Sequence, residues 1–492
     1  MIDNDNTNPA EQKIPKRILG TLLNSVGSGV VPRFGLEYIA IGRKDEINAF
    51  TSDLNFITEG GSAFRFIIGR YGSGKSFMLQ LIRNHCLERG FVTADADLSP
   101  ERRLSGTKGQ GIAVYKELVA NLAVRSSPDG NALVQIISRW LSGLQTKIVT
   151  EKKLALNSPE LELEMSAEIL KIADDLENLV CGFDFAAVVL KYYTAYKNGD
   201  ENGKSAAIRW LRGEYTTKTE ARADLSVGTI IDDLNWYDFI KLLAVFVRRI
   251  NYKGLVVFID ECVNLYKIPN RISRENNYEK ILSMFNDTLQ GKAEGLGIFM
   301  GGTPQFLEDN RRGLYSYEAL KSRLTEGRFV SSKYKNLMGP IIRLERLSDD
   351  EIFALALRIS SLHQNYYDYD NAENSSAKLT DEDILDFLKV YMSRVGASAF
   401  ITPREIIRDF LTVLDILYQN PGADFKEILQ KEEKNFTQSD KLLTAEKAAK
   451  SEDGTILEAD DNNIDNINNV DNENGEGEAQ KAFEVKFEDI EI

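Results

Sequence analysis

The chain has 492 residues, 43% of them hydrophobic, with 60 basic and 75 acidic side chains and a formal net charge of −15. That is enough apolar material for one large or two ordinary cores, yet no run reaches the eighteen or so apolar residues of a membrane span. The start, Met-Ile-Asp-Asn-Asp-Asn, lacks the basic and apolar regions of a secretory leader, so a cytoplasmic protein is expected. Cys86, Cys181 and Cys262 are scattered, and His85 and His363 are the two histidines. Neither a structural zinc nor a disulfide framework follows from that spacing.

In chain order, residues 14–50 read as a short helix, the Gly-rich Ser25-Val-Gly-Ser-Gly-Val-Val-Pro32 loop, and the segment Ile41-Gly-Arg-Lys-Asp-Glu-Ile-Asn. Phe64-Arg-Phe-Ile-Ile68 reads as a buried strand running into Gly69-Arg70-Tyr71-Gly72-Ser73-Gly74-Lys75-Ser76. Phe77-Met-Leu-Gln-Leu-Ile-Arg then opens a helix. Strand, glycine loop and helix start are the three parts of a G-x-x-x-x-G-K-[ST] phosphate-binding loop. Its glycines let backbone N–H groups curl around a phosphate, and the helix start favours an anion. Lys75 would reach the β- and γ-phosphates and the Ser76 hydroxyl would ligate Mg²⁺, so a nucleoside triphosphate is the expected ligand.

A second strand follows at Phe91-Val-Thr-Ala-Asp-Ala, and residues 112–235 are mostly amphipathic helix. Gly254-Leu-Val-Val-Phe-Ile-Asp260-Glu261 is an uninterrupted apolar run ending in two acids, as in a parallel strand buried on both faces. Ligands bind beyond the carboxyl ends of such strands, where Asp260 would meet the Mg²⁺ shell and Glu261 would polarise a water. Alone, the pair reads as a solvated turn; beside the glycine loop it reads as chemistry. Cys262 is expected to be a packed thiol. A helix near 273–290 leads to a strand at 297–302, a last strand spans 340–345, and helices follow at about 348–363, 381–393 and 403–418.

This alternation predicts an α/β fold with a parallel sheet and helices on both faces. The long gap between Lys75 and Asp260 predicts a helical insertion at about 125–235, and the trailing helices predict a C-terminal helical lid. The expected divisions are an N-terminal segment 1–50, an ATPase core 51–345, a lid 346–435 and an acidic tail 436–492. Residues 451–492 carry fourteen acids and two lysines, a net of −12, which leaves about −3 for the rest. Such a tail cannot bury enough apolar surface to fold. Its end, Phe483-Glu-Val-Lys-Phe-Glu, is either an extended segment for a sheet edge or an untethered terminus. The basic clusters Arg102-Arg103 with Lys108, Arg271 with Arg274, and Arg311-Arg312 either touch phosphates or are solvated faces; lacking interleaved aromatics, they signal DNA only weakly.

The glycine loop, Ala207-Ile-Arg-Trp-Leu-Arg-Gly-Glu, Gly254-Leu-Val-Val-Phe-Ile-Asp-Glu and Ile401-Thr-Pro-Arg-Glu-Ile-Ile-Arg together resemble the ATP-binding proteins of BREX-type phage-defence systems. More broadly the set is similar to AAA+ ATPases of the origin-recognition and helicase-loader branch. The resemblance covers roughly residues 14–430. It implies an ATP- and Mg²⁺-dependent, homo-oligomeric ATPase that partners a superfamily 2 helicase against foreign DNA. It further implies Thr303 as the residue sensing the γ-phosphate, Arg323 or Arg328 as a finger into a neighbouring subunit's ATP, and Arg404 as a second sensor from the lid. The loop before Gly42 and Arg43, with Val31 and Pro32, would enclose adenine or form a plain turn. Three functions remain open: a motor or loader that hydrolyses ATP, a nucleotide-dependent assembly switch with little turnover, and a metabolic kinase. The acid pair, the lid and the finger candidates favour the first two.

Overall fold

A computed structural model of the protein describes residues 14–156, 158–175, 182–327, 335–369, 378–392 and 402–430. Five apolar runs form one parallel sheet: β1 (Ala63–Gly69), β2 (Val92–Asp97), β3 (Leu255–Asp260), β4 (Leu296–Gly302) and β5 (Ile341–Leu344). Each lies within one or two residues of its predicted position. Their spatial order is β2-β3-β4-β1-β5. β4 thus separates the strand feeding the glycine loop from the strand ending in Asp260. Its register, Gly302 beside Ile68 and Met300 beside Ile259, brings both carboxyl ends to one edge.

The central strands β3 and β4 are almost wholly apolar because both faces are covered, whereas Arg65 falls on β1, Asp95 on β2 and Arg343 on β5. Phe64, Phe66 and Ile68 share one core with Leu255, Val257 and Ile259, while Ile67 joins Val256 and Phe258 in the other. The second core is closed by α2 (Lys44–Thr58) and α3 (Lys75–Glu88), through Phe50, Leu54, Met78 and Ile82. These two helices follow α1 (Lys16–Gly27). Among the described residues, seven helices from α4 (Gln110–Ala120) to α10 (Trp236–Arg249) connect β2 to β3 and pack on the opposite core. The Ala207–Glu214 segment packs into that helical region. Trp210 is buried, donates to Thr229 O at 2.8 Å and meets Phe239 edge-on, while Arg209 stacks on Tyr215 and pairs with Glu220.

After β3 come α11 (Val263–Tyr266) and α12 (Arg271–Leu289); α13 (Pro304–Glu308) and α14 (Glu318–Leu324) follow β4. Then come α15 (Asp349–Tyr367), α16 (Asp381–Met392) and α17 (Pro403–Gln419). Thr402 caps α17 in a reciprocal box with Glu405, and Pro403 occupies the first turn, where its missing N–H costs nothing. α1 packs against α15 and α17, burying Leu19, Leu22 and Leu23. That apolar stripe carries α1 through Gly27, so the loop predicted from Ser25 begins at Ser28 instead. Ile401, Cys181, Arg328 and the predicted tail 436–492 lie outside the described residues.

Candidate nucleotide site

The glycine loop turns back from β1 into α3 with Gly72 and Gly74 at φ +78° and +88°, a region L side chains rarely enter. Gly72 is also held close by the C-terminal helices, since a β-carbon there would overlap the Thr402 side chain. Lys75 Nζ folds over the loop and donates to Gly69 O (2.9 Å) and Arg70 O (3.1 Å). Burial lowers its pKa, against the opposing pull of Asp260 and Glu261. Arg70 and Tyr71 stand outward, Tyr71 78% exposed at the cavity mouth.

The acid side is built by β3 and β4. Asp260 Oδ2 accepts from Ser76 Oγ at 3.1 Å, and Oδ1 accepts from the Glu261 backbone N–H at 2.8 Å. Glu261 sits at φ +56°, an uncommon conformation for a non-glycine residue. The next N–H, from Cys262, donates to Gly301 O and holds the turn against β4. Gly301 leaves room for the acid: a β-carbon there would overlap Asp260 Oδ1. The Cys262 thiol is fully buried, and burial first, then the neighbouring carboxylates, pushes its pKa up, so it is the packed thiol expected.

Residues 71–76, Asp260, Glu261, Cys262 and Gly301 line one cavity of about 520 Å³ with Thr303 and Arg404, whereas Gly69 and Arg70 are not among its lining residues. Its apolar lining comes from Val31, Pro32 and Ile41 of the N-terminal segment and from Leu355, Ile359 and Ile407 of α15 and α17. A volume of this order suits a ligand of nucleotide size. The Thr303 hydroxyl accepts from Phe306 N, capping α13. Arg404 extends from the start of α17, its methylenes beside Gly29. Arg323 is not among the lining residues; its guanidinium bonds Asn286 Oδ1 (3.2 Å) and Ala319 O (2.7 Å).

Two residues that the motifs do not assign, Arg43 and Asp97, stand beside these elements. Arg43 is 7% exposed and donates to Ser73 O (3.1 Å) and Glu345 O (2.7 Å), tying the loop to the end of β5. Asp97 lies in register with Asp260, and burial first, then the charges of Asp260 and Glu261, raises its pKa. Its place at the end of a strand, like that of Asp260, was the available signal.

Ser76 Oγ and Asp260 Oδ2 offer Mg²⁺ two oxygen ligands on one side. That fits an ion that keeps waters and phosphate oxygens for its other positions. Among the described residues no group of three His, Cys, Asp or Glu could hold a metal unaided. No helix among them is long and apolar enough to cross a membrane. A family model described as BREX system ATP-binding protein BrxC/D matches residues 14–433. A search of curated proteins finds no significant match. The match spans most of the chain and includes every element that lines the cavity, so the chain belongs to the family of BREX system ATP-binding proteins BrxC/D.

Proposed function

We propose that the chain is an AAA+ ATPase that hydrolyses ATP with Mg²⁺ and uses the cycle to remodel or load a partner helicase–DNA complex in anti-phage defence. The observation that carries this reading is the joining of Lys75, Ser76, Asp260 and Glu261 in one cavity, with Ser76 bonded to Asp260. In this reading residues 69–76 wrap the phosphates, with Lys75 between β and γ, and Ser76 and Asp260 take Mg²⁺. Glu261 accepts the proton of the attacking water, and Thr303 and Arg404 contact the γ-phosphate. Residues 346–435 act as the lid and about 125–235 as the insertion of a 51–345 core, with 1–50 leading in and an acidic tail at 436–492. A homo-oligomer would supply Arg323 to the neighbouring site, and a superfamily 2 helicase is the partner suggested by the family.

The intrachain bonds of Arg323 favour a second reading, an assembly switch with little turnover, because they leave the finger docked at home. Glu261→Gln separates the two. The amide keeps the shape but takes no proton, so ATP binding should persist while phosphate release falls about 100-fold or more. Phosphate release at the parent rate removes Glu261 as the base; undetectable release by the parent itself selects the switch.

A further inference from the structure

A second cationic cluster stands beside the nucleotide cavity. Arg274, in the first turn of α12, is 6% exposed, and Arg312, in the loop after α13, is half-buried. Both point at one carbonyl: Arg274 Nη1 donates to Ile268 O at 2.9 Å and Arg312 Nη2 at 3.4 Å. Sharing one acceptor draws two like charges together, against their mutual repulsion. Among the described residues neither makes an ion pair, and Nε of each is buried without a hydrogen-bond partner. The acids of these segments are engaged elsewhere. Asp309 accepts from Arg311 N, Arg312 N and Tyr266 Oη, and Glu275 accepts from Arg271.

A buried guanidinium without a counter-ion is unfavourable, and the start of a helix disfavours a cation further. Both penalties reverse when an oxyanion enters, and the planar forks of two arginines match phosphate oxygens. Arg312, stacked 5.4 Å from the Tyr266 ring centroid, supplies the open side. Ile268 directly follows Lys267, which lines the nucleotide cavity, so the two sites share one segment. We propose that Arg274 and Arg312 form an oxyanion site for a phosphate group, either free or carried by a polynucleotide strand.

The test uses the full chain saturated with ADP and Mg²⁺, with saturation verified by calorimetry so that a failure of nucleotide binding is read separately. In one arm, fluorescein-labelled oligothymidylate is titrated by anisotropy over a salt series. Arg312→Gln should weaken binding about tenfold and reduce the salt slope by about 0.7, the loss of one phosphate contact on a single strand. In the other arm, inorganic phosphate should raise the melting temperature of the parent and not of the variant. A response in the first arm assigns the strand as source; a response in the second alone assigns the free anion. Arg312→Lys, which keeps the charge but not the fork, should retain the slope while weakening affinity several-fold; if the glutamine variant does not fold, it stands in with affinity as the readout, and parent-like affinity together with a parent-like phosphate shift overturns the proposal. For Arg312→Gln, an unchanged slope and an unchanged phosphate shift overturn the proposal and leave the cluster structural.

Discussion

Ser76 Oγ donates to Asp260 Oδ2 across 3.1 Å, joining a helix start to a strand end 184 residues further along the chain. The contact exists because β4 sets β1 and β3 one strand apart and because Gly301, on that middle strand, has no side chain to displace the carboxylate.

Gly301→Ala should turn the Asp260 carboxylate away from Ser76. ATP affinity measured in EDTA should match the parent, while the gain from Mg²⁺ should shrink by about tenfold, or about 1.4 kcal/mol. Calorimetry with and without Mg²⁺ checks this, and an undiminished Mg²⁺ effect excludes Asp260 as its ligand.

Lys75→Ala removes the ammonium that now rests on Gly69 O and Arg70 O. Loss of a charge-assisted bond of about 1.5–3 kcal/mol should weaken ATP binding roughly 10- to 100-fold. Parent-like affinity in calorimetry would exclude the glycine loop as the phosphate site.

Arg43→Ala should act on stability and on the site together. It frees Ser73 O and Glu345 O and leaves Glu46, which is 2% exposed and 4.0 Å from the Arg43 guanidinium, with Lys335 Nζ at 3.8 Å as its remaining cation. Carbonyls left without their donor cost about 1–3 kcal/mol, and the weakened pairing of Glu46 adds to that. Urea unfolding should show that loss, and adding Glu46→Gln should recover part of it. Additive effects of the two substitutions would mean that the pair is not coupled.

Arg323→Ala tests the trans arrangement. ATP should bind normally, but hydrolysis should fall on the order of 10³-fold if the residue is a finger. Mixing with Lys75→Ala chains should restore part of the rate, because one interface would then combine an intact loop with an intact finger. No rescue, together with a specific activity that does not change on dilution, marks Arg323 as an ordinary structural arginine bonded to Asn286.

Local pattern was enough for much of this. The run into Gly69, the glycine loop and the run into Asp260-Glu261 are contiguous, so their strands and helix start could be read from adjacent residues, and all five strands fell near their predicted places. At the end of α1, Gly-Ser-Gly suggests a loop from Ser25, whereas packing on α15 and α17 carries the helix to Gly27. Strand order, by contrast, is a choice among long-range pairings that no single segment encodes. So are the need for glycine at 301, the bonds of Arg43 to carbonyls 30 and 302 residues away, and the meeting of Arg274 with Arg312 at Ile268 O. The sequence by itself determined where the glycine loop and the Asp260-Glu261 pair stand at the ends of their strands, because each lies in one short contiguous segment. Tertiary structure alone decided which side chains share the cavity and which, like Arg323, do not, because distance in the chain carries no information about distance across a sheet.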